Sequence, residues 1–210
     1  MEDIKIVPAG PQDAELAGAL LMETLYGFGV YQSGLGSAER GRKALGAYFG
    51  KLGNRFSYEF AHLATMDGEP AALLLAFPGG SFGRLSRKTL WQMPRVYSLP
   101  EVLEFYRRAL ILKDEEEVAR EEFYIAHLAV CAEFRRKGLG KLLLGHARIL
   151  ALRNGLRKLS LLADLENPGA IALYEGYGFT TVKTYSHPHQ IPLTGSPGYV
   201  KMIMNLSIKE

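Results

Sequence analysis

The residues whose types and spacing most clearly suggest chemistry are Arg135-Arg136-Lys137-Gly138-Leu139-Gly140. They lie between an apolar run, Phe123 to Cys131, and a long periodic stretch from Leu139 to Arg153. Glycines remove side chains, so that a ligand can approach the backbone. The first N–H groups of a helix have no partner within it, and they favour an anion. Three adjacent basic side chains add charge. The arrangement suits a phosphate, and an ordinary tight turn is the plain alternative. A Walker loop is excluded, because Gly140-Lys141 is followed by Leu142 and preceded at the required distance by Arg135. A Rossmann fingerprint is excluded, because Leu143 stands at its third glycine and no carboxylate occurs at Lys158 to Leu162.

Elements must position this loop. Ile4 to Val7 reads as a strand, followed by a turn at Pro8 to Pro11. Asp13 can cap a helix from Ala14 to about Tyr26, with Leu16, Leu20 and Leu21 on one face. Gly27, Gly29, Gly34 and Gly36 then loosen the chain before a helix from Ala38 to Leu52. Glu59 to Met66 and Ala71 to Phe77 form a hairpin on Asp67-Gly68. An insertion spans about 79–121. Within it, Ser98 and Glu101 make a capping box for a helix from Leu99 to Leu112, and Asp114 to Glu117 read as a solvated acidic stretch. Phe123 to Cys131 is a strand buried on both faces. A helix from Leu139 to Arg153 and a strand from Lys158 to Ala163 follow. Asn167-Pro168 starts a short helix, and Phe179 to Tyr185 and Tyr199 to Leu206 close the chain. The order β-α-α-β-β, insertion, β-α-β-α-β-β predicts an α/β fold with a mixed sheet and a parallel centre.

A second pattern follows the glycine loop. Asn167-Pro168-Gly169-Ala170-Ile171-Ala172-Leu173-Tyr174-Glu175-Gly176-Tyr177-Gly178-Phe179 resembles the GNAT (GCN5-related N-acetyltransferase) pattern Asn-x-x-Ala-x-x-Leu-Tyr-x-x-x-Gly-Phe at every named position. Arg135, Gly138 and Gly140 fit that superfamily's pyrophosphate loop, Arg/Gln-x-x-Gly-x-Gly/Ala. Leu128-Ala129-Val130 resembles its central strand, and Ile4 to Ala14 its opening strand and turn. The close resemblance covers Tyr124 to Tyr185; elsewhere only the order of elements agrees.

The resemblance implies a GNAT-like, centrally splayed sheet flanked by helices, here a single domain over residues 1–210 with a helical insertion between the third and fourth strands. It implies acetyl-CoA as cosubstrate and an amine of a small molecule or protein as acceptor. Pantetheine would pair with Leu128, Ala129 and Val130. The pyrophosphate would rest on Arg135, Arg136, Lys137, Gly138, Leu139, Gly140 and Lys141. Asn167 would hold the pantetheine arm, and Tyr174 would reach the sulfur as catalytic acid. Two departures stand out: Arg136 replaces a frequent glycine, and the long insertion replaces a short connection. The helix Leu99 to Leu112 could cover the substrate or form a homodimer contact.

The acceptor must lose a proton. With an amine pKa near ~10.4, about one molecule in a few thousand is neutral at pH 7, a cost of roughly 4–5 kcal/mol. By resemblance the base projects from the central strand. Tyr124 and Ala126 are expected on one face of that strand and His127 on the other, and no carboxylate stands there. His127 is therefore the candidate base, its plain alternative being a hydrogen-bonded core histidine. Glu23, Glu59 and Asp164 are further candidates. His187-Pro188-His189 is too small a set for a metal, and none is expected. Tyr26, Phe28, Tyr31, Tyr48 and Phe49 could line a pocket or pack in the core.

Composition narrows the classes. Apolar residues make up 48% and charged residues 22% of 210, which supports a packed core. The net charge of +3 is small, and aromatics are not interleaved with Arg135, Arg136, Lys137, Arg148, Arg153, Arg157 and Lys158, so nucleic-acid binding is not expected. No apolar run approaches ~18 residues, so no membrane span is expected. The single Cys131 and the absence of a signal-like start suggest a cytoplasmic protein. A non-catalytic acyl-CoA-binding module is the competing reading, since the central strand offers no carboxylate.

Overall fold

The computed structural model describes residues 3–112 and 118–206; the acidic run Asp114 to Glu117 lies outside the described residues. The strands are β1 (Ile4–Pro8), β2 (Ala61–Met66), β3 (Glu69–Pro78), β4 (Glu122–Val130), β5 (Lys158–Asp164), β6 (Thr180–Ser186) and β7 (Gly198–Asn205). They form one open sheet in the order β1-β2-β3-β4-β5-β7-β6. Asp67 and Gly68 both adopt positive φ, 52° and 86°, as a tight β2–β3 hairpin requires. The pair β4–β5 is parallel and the other five pairs are antiparallel.

The parallel pair is short. It runs from Glu122 opposite Lys158 to Ile125 opposite Leu161 and then stops. Beyond it, β4 stays with β3 as far as Val130, and β5 stays with β7 as far as Asp164. The two strands therefore part in the middle of the sheet, as the splayed arrangement requires. A bulge marks the place: Leu75 pairs with His127 and Ala76 with Ile125, so Ala126 is the extra residue. A bulge bends its strand and strengthens the local twist. At the closed end a buried ion pair, Lys201 Nζ to Glu122 Oε1 at 2.9 Å, reaches across β5.

Helices cover both faces. On one lie α1 (Ala14–Phe28) and α2 (Ala38–Phe49), joined by the insertion helices α3 (Phe82–Gln92) and α4 (Leu99–Leu112). On the other lie α5 (Leu139–Arg153) and α6 (Pro168–Tyr177); α7 (Ile191–Thr194) sits in the β6–β7 connection. Strand β3 is buried on both sides. Leu73, Leu75 and Phe77 pack with Leu20, Leu21, Leu45 and Phe49, while Leu74 packs with Leu143, Leu144 and Ala147. Each fully buried Leu or Phe contributes roughly 1.5–3 kcal/mol of transfer free energy.

Several boundaries differ from the sequence reading. Asp13 makes no cap bond to α1; its carboxylate instead accepts from the Gly10 N–H at 2.7 Å. The first helix does not end near Tyr26. It breaks there (φ 47°, ψ −140°), resumes to Phe28 and opens into a wide π turn, Gly29–Ser33. Packing overrides the low helix preference of that glycine-rich stretch, and Gly27 is needed for it: a Cβ there would lie 1.9 Å from the Thr194 carbonyl oxygen of α7. The second helix stops at Phe49, three residues before Leu52. Helix α3 was not expected, because its apolar positions are sparse and basic residues fill its exposed face.

Candidate active site at the parting of two strands

The open edge of β4 follows from its hydrogen bonds. The Cys131 N–H donates to the Ala71 carbonyl at 2.9 Å. Alternation along a strand then turns the backbone of Ala129 towards β3 and the backbones of Leu128 and Val130 towards the gap. The Val130 carbonyl accepts from Arg135 Nε at 3.1 Å, on that same side. Of the three residues expected along a pantetheine arm, Leu128 and Val130 offer their backbone groups to the gap, and Ala129 is committed to the sheet.

The loop after β4 divides its tasks among its residues. Arg136 takes φ 66°, a conformation that glycine adopts freely and that costs another residue roughly 1–2 kcal/mol. This accounts for the glycine that is frequent at that position in similar loops. Gly138 caps α5 at φ 85°, and a Cβ added there would meet nothing within 4 Å. The backbone faces open space at that point. The first turn of α5 has neither a capping side chain nor an acidic residue, so its N–H groups are available to an anion. Gly140 has a different reason: its Cβ would come within 3.1 Å of Leu173, so it serves the packing of α5 on α6. Leu139 is buried and can offer only its backbone. Lys137 lies over the Phe134 ring, 5.6 Å from its centroid. Arg136 and Lys141 are exposed. Arg135 is held by Glu23 at 2.7 Å, in an exposed pair worth about 1 kcal/mol or less. Together the loop fits a pyrophosphate: four exposed basic side chains, free helix N–H groups and an open backbone cradle.

Across the gap, Asn167 caps α6 through its Oδ1, which accepts from the Ala170 N–H at 3.0 Å. The cap leaves its amide nitrogen to donate elsewhere. Tyr174 is buried in the core on the α5 side, with its ring 5.9 Å from that of Phe179. Burial, and then the neighbouring Tyr26 phenol, push its pKa up to about 12. Burial and Asp164 raise the pKa of Tyr26, and Arg135 opposes them. The strained Tyr26 thus stands among Tyr174, Asp164 and Arg135.

On the other side of the sheet the gap opens into a cavity of about 430 Å³. Ala126 and His127 of β4 and Leu162 and Asp164 of β5 line it, at the first positions after the strands part. Thr24, Phe28 and Gln32 line it from α1 and the π turn, and Tyr48 from α2. The insertion supplies Ser86, Met93, Tyr97, Phe105 and Ala109. Bonds hold the insertion down: Tyr97 Oη donates to the Ser33 carbonyl at 2.7 Å, Gln32 Nε2 to that of Phe105 at 3.0 Å, and Arg40 Nε to Glu101 at 2.6 Å. Glu101 also accepts from its own Ser98 N–H at 2.7 Å, completing half of the expected capping box. The inner face of α4 meets the cavity, while Leu99, Leu103 and Leu110 on its outer face are more than 70% exposed.

His127 lies on the same face as Tyr124 and Ala126, not opposite them. The bulge adds one residue, and the alternation changes phase. His127 therefore reaches the cavity, with its ring 5.6 Å from that of Phe56. Its Nδ1 lies 2.7 Å from Thr24 Oγ1, whose single hydrogen goes to the Leu21 carbonyl at 2.8 Å. Nδ1–H is then the donor, and Nε2 carries the lone pair. Burial, and then the charge of Arg55, lower the pKa to about 3, so the imidazole is neutral near pH 7.

Among the other candidates, only Asp164 lines the cavity; its Oδ1 accepts from Ser196 Oγ at 2.7 Å. Glu23 belongs to the Arg135 pair, and Glu59 accepts from Ser57 Oγ at 3.1 Å and lies outside the cavity lining. Among the expected aromatics, Phe28 and Tyr48 line the cavity, Phe49 is core, and Tyr31 stacks on Arg108. His187 and His189 have ring centroids 6.0 Å apart, and no group of three metal-ligating side chains occurs among the described residues. Sequence reasoning missed Thr24, Gln32 and Ser86, since a lone polar residue in a helix carries no local signature. No helix among the described residues is long and apolar enough to cross a membrane.

Comparison with known proteins agrees with this geometry. The profile of the Acetyltransferase (GNAT) family matches residues 55–179, more than half of the chain. A curated relative, "GCN5-related N-acetyltransferase 4, chloroplastic" of Arabidopsis thaliana, is 37% identical over 87 residues. That match spans 39% of this chain and 30% of the relative's length. An N-acetyltransferase structure from Staphylococcus aureus Mu50 is similar with a TM-score of 0.72 and 20% identity, over 95% of this chain and 100% of that one. The PaiA N-acetyltransferase of Thermoplasma acidophilum, in complex with coenzyme A, is similar with a TM-score of 0.54 and 12% identity, over 97% and 99%. With its splayed strands, open cradle and matching profile, the chain belongs to the GNAT acetyltransferase family, whose acyl donor is acetyl-CoA.

Proposed function

We propose that this protein transfers the acetyl group of acetyl-CoA to a primary amine held in the cavity, by direct attack with both substrates bound. One observation carries the reading. The gap between β4 and β5 has an open glycine loop and an open strand edge at one side, and a cavity begins at Ala126, His127, Leu162 and Asp164 on the other. A thioester lying along Leu128 and Val130 would meet an amine arriving from the cavity.

Each group then has a role. The amine nitrogen forms a bond to the acetyl carbon, and the carbon–sulfur bond breaks. Asp164, the carboxylate at the gap, attracts the incoming ammonium, which sheds one proton to solvent before attack; the second proton, lost from nitrogen as the amide forms, passes to solvent through water. His127 has so low a pKa that it is a poor proton store; its Nε2 accepts a hydrogen bond and orients the neutral amine. Tyr174 donates a hydrogen bond to the departing sulfur. With its pKa near 12 and a thiol near ~8.5, full proton transfer is uphill by about 3.5 pH units, so stabilisation of the thiolate is its main contribution. The free thiol appears once solvent supplies the proton.

The test is turnover of acetyl-CoA against a panel of primary amines, followed by thiol release and by mass of the acetylated product. Acetylated amine in proportion to released thiol is expected. Tight coenzyme A binding with no acetylated amine would instead establish a non-catalytic acyl-CoA-binding module.

A further inference from the structure

The cavity is chemically lopsided. The end at the parted strands holds Asp164 and His127. The wall that faces it is largely aromatic and apolar, lined by Phe28 of α1, Tyr48 of α2, Phe56, and Tyr97 and Phe105 of the insertion. Two polar groups in that wall have no partner. Gln32 is 5% exposed and donates through Nε2 to Phe105, yet its Oε1 is buried without a hydrogen bond. Ser86 Oγ is likewise buried and unpartnered. An unsatisfied buried acceptor costs about 1–3 kcal/mol, so a ligand that satisfies it is favoured.

We infer that the acceptor is a small aromatic amine that carries a hydrogen-bond donor on its ring, remote from the amino group. This rests on the acetyl-transfer reading above and goes further by naming the substrate class. A volume of about 430 Å³ is in the range of small-molecule sites. Aromatic walls favour a ring over a flexible chain, through offset and edge contacts. The charge pattern disfavours a polyamine. Asp164 is the only carboxylate among the described lining residues, and Arg55 adds a positive charge, so a second ammonium would find no counter-ion. A peptide is disfavoured because its backbone donors and acceptors would each need a partner in a lining that is more apolar than polar. The ring donor would be read by Gln32 Oε1; Ser86 Oγ is the second unpartnered hydroxyl or carbonyl oxygen in the lining.

Tyramine and 2-phenylethylamine differ only by such a donor and serve as probes, beside spermidine and a lysine-containing peptide. With acetyl-CoA saturating, tyramine is expected to exceed 2-phenylethylamine in kcat/KM by about tenfold or more. Spermidine and the peptide are expected to fall at least about tenfold below tyramine. Gln32→Met is expected to bring the tyramine to 2-phenylethylamine ratio close to one. Ser86→Ala, which removes a hydroxyl without a partner in the fold, is expected to lower the ratio independently. Equal kcat/KM for the two ring amines, or a preference for spermidine or peptide, would overturn the substrate class and leave acetyl transfer standing. Failure to acetylate any amine while coenzyme A still binds would overturn both readings.

Discussion

The two sides of the gap are built by different means. The side proposed for the donor uses backbone: the open edge of Leu128 and Val130, the N–H groups that begin α5, and the bare Gly138. The side proposed for the acceptor uses side chains from elements far apart in sequence, among them Thr24, Tyr48, Ser86, Phe105 and Asp164. A backbone site tolerates little variation, because its geometry depends on a few positive-φ positions and on one bulge. A side-chain site can change its ligand without disturbing the fold. The difference teaches where each kind of substitution should act.

The largest effect is expected at Gly138. Gly138→Asp places a Cβ in a left-handed conformation and a carboxylate where the cradle faces an anion. Calorimetry should show coenzyme A affinity lowered by about a hundredfold or more, at roughly 1.4 kcal/mol for each factor of ten. Circular dichroism should remain that of the wild type, since the added Cβ meets no protein atom within 4 Å. Unchanged affinity would remove the distinction between the two sides.

Tyr174→Phe tests the chemistry between them. It keeps the contact with Phe179 and loses the hydroxyl. The expected result is a kcat lower by about 10²-fold, as for loss of one hydrogen-bond donor to a developing negative charge, with little change in acetyl-CoA affinity. The pH profile adds a second readout. Tyr174, near 12, and His127, near 3, both keep their protonation state between pH 5 and 10. The rate should therefore rise as the amine loses its proton, with no break near pH 6.5 in either protein. A break there would return His127 to the role of general base.

The smallest effect concerns the tie that holds the insertion. Arg40 first, and then the Ser98 backbone N–H, hold the Glu101 carboxyl at about 2. Its folded pKa lies below the unfolded value near ~4.3, so its stabilising contribution is complete above about pH 5 and is lost as pH falls through about 2. Glu101→Gln should destabilise the fold by about 1 kcal/mol at pH 7. Denaturant melts should show the variant and the wild type converging as the solution is acidified from pH 5 towards 2. Coenzyme A affinity should not follow.

The same division decided what could be read from the sequence. Arg135 to Gly140 and Asn167 to Phe179 are contiguous, so local spacing located the glycine turn and the cap at Asn167, and the family resemblance singled out Tyr174. The order of elements implied a mixed sheet with a parallel centre, and the resemblance implied the splay. The face of His127 did not, because one bulged residue at Ala126 reverses the alternation and bulges leave no mark in an apolar run. Helix α3 and the π turn were also illegible: tertiary bonds such as Gln92 Nε2 to the Leu52 carbonyl at 2.9 Å, and Tyr97 to Ser33, hold segments whose own propensities are weak. The acceptor wall depends on those segments, which is why its Gln32 and Ser86 became visible only in three dimensions.

Amide hydrogen exchange with and without coenzyme A tests the central claim most directly. Binding in the gap should slow exchange at Leu128 and Val130, on the open edge of β4, and at the amides that begin α5. Ala129 and Cys131, already turned towards β3, should change little, and so should the π turn at Gly29 to Ser33. Protection confined to the cavity wall, with Leu128, Val130 and the start of α5 unchanged, would contradict the assignment of the parted strands as the acetyl-CoA site.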